Sequence, residues 1–97
     1  MPDYGFTMGG YTMYFTSKCI VEPIHAHLND TKHKIIAGSA KIWVGPNGET
    51  QVVHTGNVPN KVIKEARAWI KQNYKLMKSK WQAYGGTTDF YANIAKI

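Results

Sequence analysis

The spacing of apolar and polar positions changes once along this chain. Up to about residue 56, short stretches alternate with a period of two, whereas from residue 58 to 84 the apolar positions recur every three or four residues. YTMYFTS at 11–17 reads as a strand because β-favouring Tyr, Thr and Phe run together without a helical period. One of its faces carries Tyr11, Met13 and Phe15, the other Thr12, Tyr14 and Thr16. Pro23 lacks an N–H and holds Glu22 extended, so residues 18–24 form a connection. HAHLN at 25–29 is a second strand, with Ala26 and Leu28 on one face and His25, His27 and Asn29 on the other. SAKIWVG at 39–45 is the clearest strand: Ala40, Ile42 and Val44 alternate with Lys41 and Trp43. Gly45-Pro46-Asn47-Gly48 predicts a turn, and TQVVHTG at 50–56 returns as the partner strand of a hairpin.

The long second pattern predicts a helix. Val62, Ala66, Trp69, Ile70, Tyr74, Met77, Trp81 and Tyr84 form one apolar stripe, Pro59 suits the helix start, and Gly85-Gly86 stops it. Asn73 and Lys80 intrude on that stripe, which predicts a kink or a split near Asn73. A few short strands and one amphipathic helix must bury their apolar faces against each other. The predicted fold class is therefore α+β: a small antiparallel sheet of about four strands packed against a long C-terminal helix. The 97 residues make one domain, divided into an N-terminal segment (1–9), a sheet region (10–56), a helical region (58–84) and a tail (87–97) that docks on its own domain or on a neighbour.

Composition narrows the function classes. A hydrophobic content of 43% fits a folded domain. The absence of a long apolar run and of a basic, leader-like start predicts a soluble cytoplasmic protein with no membrane partner. A single cysteine, Cys19, excludes an internal disulfide and a cysteine zinc cage, and is expected to pack as a small hydrophobe. The net charge of +6 lies wholly in residues 58–97, where seven lysines and Arg67 face only Glu65 and Asp89. Lys64, Arg67, Lys71, Lys75 and Lys78 step by three or four, so they share one side of the helix beside the apolar stripe. Such a stripe is either a solvated face or a grip on RNA, DNA or an acidic partner protein.

The densest chemistry is His25-Ala26-His27. In an extended chain both imidazoles project from one face with their Cα atoms about 6.5 to 7 Å apart. The strand ending in Met13-Tyr14-Phe15, the Pro-x-His-x-His at Pro23 to His27, the Ala-Lys-Ile-Trp strand, Trp69, and Lys80-Trp81 near the end of the helix resemble the bacterial family called domain of unknown function 4160. The resemblance runs from about Gly10 to Gly85. Two prolines often precede the first histidine in that family, where this chain has Glu22-Pro23-Ile24, and NDTKHKIIAG is longer than expected. The resemblance implies a small toxin-like protein whose gene sits beside a second small gene, as in toxin-antitoxin pairs, and it supplies no established reaction.

Three functions fit these residues. The first is metal-independent cleavage of nucleic acid, with His25 and His27 as the acid-base pair, Tyr14 on the adjoining strand, and the lysines supplying positive charge. The second is a non-enzymatic module that binds nucleic acid or a small antitoxin-like protein, with Trp43 as the exposed aromatic at the interface and a homodimer as one arrangement. The third is a metal site like the His-x-His strand of cupin barrels, completed by His54, His33 or Asp30; the missing glutamate argues against it, so no metal and no cofactor are expected. Trp69, Trp81 and Tyr84 lie on the apolar stripe and are assigned to the core or a dimer interface. His33 is read as solvated and His54 as structural. No Walker loop, dinucleotide fingerprint or Ser-His-Asp order is present.

Overall fold

The computed structural model describes residues 3–16, 19–30, 38–86 and 88–92, Cys19 by its backbone alone. Five strands precede one helix: β1 (Asp3–Met8), β2 (Tyr11–Tyr14), β3 (His25–Asp30), β4 (Ala40–Val44), β5 (Thr50–His54) and α1 (Asn60–Ala83). The strands form one sheet in sequence order, β1-β2-β3-β4-β5, and every neighbouring pair is antiparallel. The architecture is thus the α+β fold expected, with one strand more.

That extra strand, β1, occupies what the sequence suggested was only an N-terminal segment. Gly9 and Gly10 have φ of +57° and +83°, so together they make the two-residue turn that joins Met8 to its partner Tyr11. Tyr4 and Phe6 point inward from β1 and are buried.

One face of the sheet carries Tyr4, Phe6, Met13, Phe15, Ala26, Leu28, Ala40, Ile42 and Val44, all buried in one core with Val62, Ile63, Ala66, Ile70, Met77 and Trp81 of α1. Alternation on the strands meets the helical period there, so each element covers the other's apolar face. Val62 and Ile63 draw their first hydrogen bonds from the Pro59 carbonyl, which places the proline immediately before the helix. Past Tyr84, Gly85 takes φ +90° and the chain leaves the helix axis.

The split expected near Asn73 does not occur: α1 is continuous for 24 residues. Asn73 donates through Nδ2 to the Trp69 carbonyl at 2.9 Å, one turn back, so its polar group is satisfied without breaking the helix. Lys80 reaches out of the stripe to the Asp3 carbonyl. Tyr84, expected on the buried stripe, is more than half exposed, although its ring meets Phe15 edge-on.

The described part of the tail, residues 88–92, docks on its own domain. Ile24 N–H donates to the Asp89 carbonyl and Tyr91 N–H to the Val44 carbonyl, so residues 89–91 bridge the start of β3 and the end of β4. Thr88 Oγ1 accepts from the Trp81 indole and donates to the Glu22 carbonyl, tying the tail to α1 as well.

Candidate functional site

Sheet register builds the site on the face away from the core. Tyr14 pairs with His27, His27 with Lys41, and Lys41 with His54, giving one row across β2, β3, β4 and β5. The next row places His25 opposite Trp43, which pairs with Gln51. His25 and His27 thus project together, as alternation along β3 demands, with ring centroids 5.0 Å apart and planes nearly perpendicular. The Tyr14 ring lies 5.7 Å from that of His27.

Both imidazoles are covered. His25 is 1% exposed and His27 4%, although the alternating pattern alone says nothing about a cover on this face. The rings of Trp43 and Trp81 stand edge-on to His25 at 5.2 and 5.5 Å. His25 Nδ1 is 2.9 Å from the Pro23 carbonyl and donates to it as the neutral Nδ1–H tautomer or as imidazolium. His27 Nδ1 is buried with no hydrogen-bond partner among the described residues.

Burial disfavours charge on both rings. It holds His25 below its ordinary value, opposed by the hydrogen bond to Pro23. It pushes His27 down to about 4, and the positive charge that His25 and Lys41 would present works in the same direction. The pair is therefore neutral near pH 7. Lys41 closes a salt bridge to Glu22 at 2.9 Å, which holds the Glu22 carboxyl below the usual range. The Lys41 ammonium also lies 4.4 Å over the Trp43 ring.

Trp43 is half-buried rather than free. Its outer face carries the Tyr91 ring at 4.5 Å, with the planes only 8° apart. The aromatic interface expected at Trp43 is here filled by the chain's own tail.

The basic residues stand elsewhere, along α1. Lys64, Arg67, Lys71 and Lys75 are exposed, and Lys78 is partly covered. At 100° per residue these five fall within an arc of about 80° and extend over about 21 Å of helix. Glu65 lies outside that arc, so the stripe itself holds no acid. Arg67 donates to Thr50 Oγ1 on β5 at 2.8 Å, and Lys78 pairs with Asp89 of the tail at 3.2 Å. The stripe and the histidine pair are separate features, linked through the tail.

Of the groups considered for a metal, His54 joins the histidine row and is exposed, Asp30 ends β3, and His33 lies outside the described residues, as does the side chain of Cys19. Among the described residues no three His, Cys, Asp or Glu side chains are placed to share an ion. Nor is any helix there long and apolar enough to cross a membrane.

Sequence reasoning missed the partners that close the site. Tyr91 and Thr88 lay in a tail whose docking was undecided, and no local pattern names the strand a tail will meet.

A family model described as Domain of unknown function (DUF4160) matches residues 10–82. No curated protein and no solved structure matches the chain. The matched segment contains both histidines, Trp43 and the whole basic stripe, and it stops short of the tail that covers Trp43.

Proposed function

We propose, from the premise that this chain belongs to the DUF4160 family, that it binds the phosphate backbone of nucleic acid through the basic stripe of α1. In this reading it is the toxin-like member of a two-gene module. The observation that carries the proposal is the line formed by Lys64, Arg67, Lys71, Lys75 and Lys78 on one continuous helix, into which no acid of α1 itself intrudes. Spaced cations of one sign release counterions from a polyanion, whereas a merely solvated surface tends to intersperse both signs.

Binding to RNA and to duplex DNA, measured by fluorescence polarisation across a salt series, tests this. Affinity is expected to fall steeply with salt, with a log-log slope of about −3 for single strands from four to five contacts. Reversing two charges with Lys71→Glu and Lys75→Glu is expected to weaken binding at least tenfold, with little change in melting temperature. Affinity indifferent to both salt and charge reversal removes the proposal.

The adjacency of His25 and His27 supports a second reading, metal-independent RNA cleavage. There the 2′-hydroxyl would attack phosphorus as one imidazole takes its proton, and the bond to the 5′-oxygen would break as a proton is returned to that oxygen. In this reading Tyr14, whose ring stands beside that of His27 and whose hydroxyl is hydrogen-bonded to Ser39, would be a further proton carrier. In the covered state burial holds both rings below their ordinary value; contact with water would bring both back toward about 6.5. Alanine at His25 and at His27 should abolish RNA degradation and growth inhibition while the fold persists, and unchanged toxicity sinks the catalytic reading.

A further inference from the structure

We infer that the outer face of Trp43 is a stacking site for the base of an unpaired nucleotide, and that residues 89–91 of the chain's own tail occupy it as a stand-in for that nucleotide. This inference rests on the nucleic-acid reading and names the form of the ligand, a single strand.

Two contacts of the tail reproduce the two chemistries a nucleotide offers. Tyr91 lays a flat ring on Trp43 at 4.5 Å and 8°, while the other aromatic pairs among the described residues are tilted or edge-on. The two rings lie parallel and in contact, and a parallel stack of this kind is how an aromatic side chain receives a base. Asp89, two residues earlier, sets a carboxylate 3.2 Å from Lys78, the last cation of the α1 stripe. A phosphate in that place would meet the same ammonium. Phe90, between them, meets the Tyr74 ring and lies under the same Lys78 ammonium.

The site has the further groups a nucleotide needs. Lys41 lies over the Trp43 ring, neutralised at present by Glu22. His25 stands edge-on to the same ring at 5.2 Å, so a base stacked there would bring its sugar and phosphate close to the histidine pair. Lifting the tail frees Lys78 from Asp89 and completes the basic stripe. Trp43, Lys41, His25 and Lys78 all fall inside residues 10–82, whereas Asp89 and Tyr91 fall outside.

The test compares the full-length protein with Tyr91→Ala, Tyr91→Phe and the pair Tyr91→Ala/Trp43→Ala, using a short single-stranded RNA and a duplex of the same sequence. Tyr91→Ala is expected to tighten single-strand binding about tenfold and duplex binding by much less, the duplex gaining only the freed Lys78. Adding Trp43→Ala should cancel the gain, and Tyr91→Phe, which keeps the stack, should match the parent. No gain in Tyr91→Ala overturns the stacking site, and the phosphate reading survives if binding still falls with salt and with Lys71→Glu/Lys75→Glu. Binding that needs Trp43 but ignores salt upholds the site and removes the phosphate reading. A gain in self-association with none for RNA assigns the surface to protein contact and overturns the inference. Should Tyr91→Ala fail to fold, titrating the parent with adenosine monophosphate decides: saturable NMR shifts at the Trp43 indole and the Tyr91 ring support the site, and their absence overturns it.

Discussion

His27 shows what a single side chain contributes here. Its ring is buried and its Nδ1 lacks a partner among the described residues, so the neutral form is the one the fold accepts. The unfolded chain binds a proton near the ordinary value of about 6.5, whereas the folded chain does so only near 4. Between those values the unfolded state holds the extra proton, so stability is full above about pH 6.5 and is lost as pH falls toward 4. His25 is shifted the same way by the same burial. Glu22 and Asp89 are shifted downward too, and their contribution is lost in a lower window, beneath the ordinary carboxylate range. Chemical denaturation at pH 7.5 and pH 4.8 should therefore show His27→Gln losing about 2 kcal/mol less than the parent, the part of the full shift that is lost before the pH reaches 4. Parallel losses in the two proteins are incompatible with a buried, neutral His27. That the two histidines share a face was legible in the sequence, since a period of two leaves no other arrangement. Their burial was not, because the rings against His25 come from Trp43 and Trp81, remote in the chain and brought near only by tertiary packing.

Elements hold one another at specific close approaches. The β4–β5 turn meets the middle of α1 at Gly48, which has φ +81°; a β-carbon there would stand 2.8 Å from the Tyr74 ring and 2.9 Å from the Lys71 carbonyl. Gly48→Ala therefore combines a left-handed backbone with a clash against helix backbone, and should lower the unfolding free energy by about 3 kcal/mol in a urea titration. Gly10→Ala shares the backbone cost at φ +83° but meets open space, so about 1 kcal/mol is expected. Equal losses at the two positions would falsify the close approach as the cause. The turn at 45–48 was legible because Gly, Pro and Asn cluster between alternating stretches; its seat on the helix was not. β1 went unread because Gly5 thins an otherwise alternating Tyr4, Phe6, Met8, yet Gly9-Gly10 ahead of Tyr11 was the two-residue hairpin signal that could have found it. The break foreseen at Asn73 failed because wheel geometry omits a side chain's bond to its own helix.

At the scale of the whole molecule the radius of gyration is 12.0 Å, close to the roughly 12.5 Å of a compact chain of this length, so the helix lies on the sheet instead of projecting from it. Sheet and helix share one core, and they are expected to open as one unit. The tail differs: its backbone ties run from Ile24 to Asp89 and from Tyr91 to Val44, and its side chains reach mainly Trp43, Trp81, Tyr74 and Lys78. A segment held by two backbone hydrogen bonds and a few ring contacts can detach at a cost well below that of global unfolding. Because the Ile24 and Tyr91 amides are both tied through that segment, one opening should release both. Hydrogen exchange read by NMR should therefore show these two amides exchanging at a common free energy at least 2 kcal/mol below that of Leu28 and Ile42 in the central strands. Tyr91→Ala should speed the Ile24 and Tyr91 positions together while leaving Leu28 and Ile42 unchanged. If all four amides exchange with the global free energy, the tail is an integral part of the core, and Trp43 is reached only by unfolding the domain.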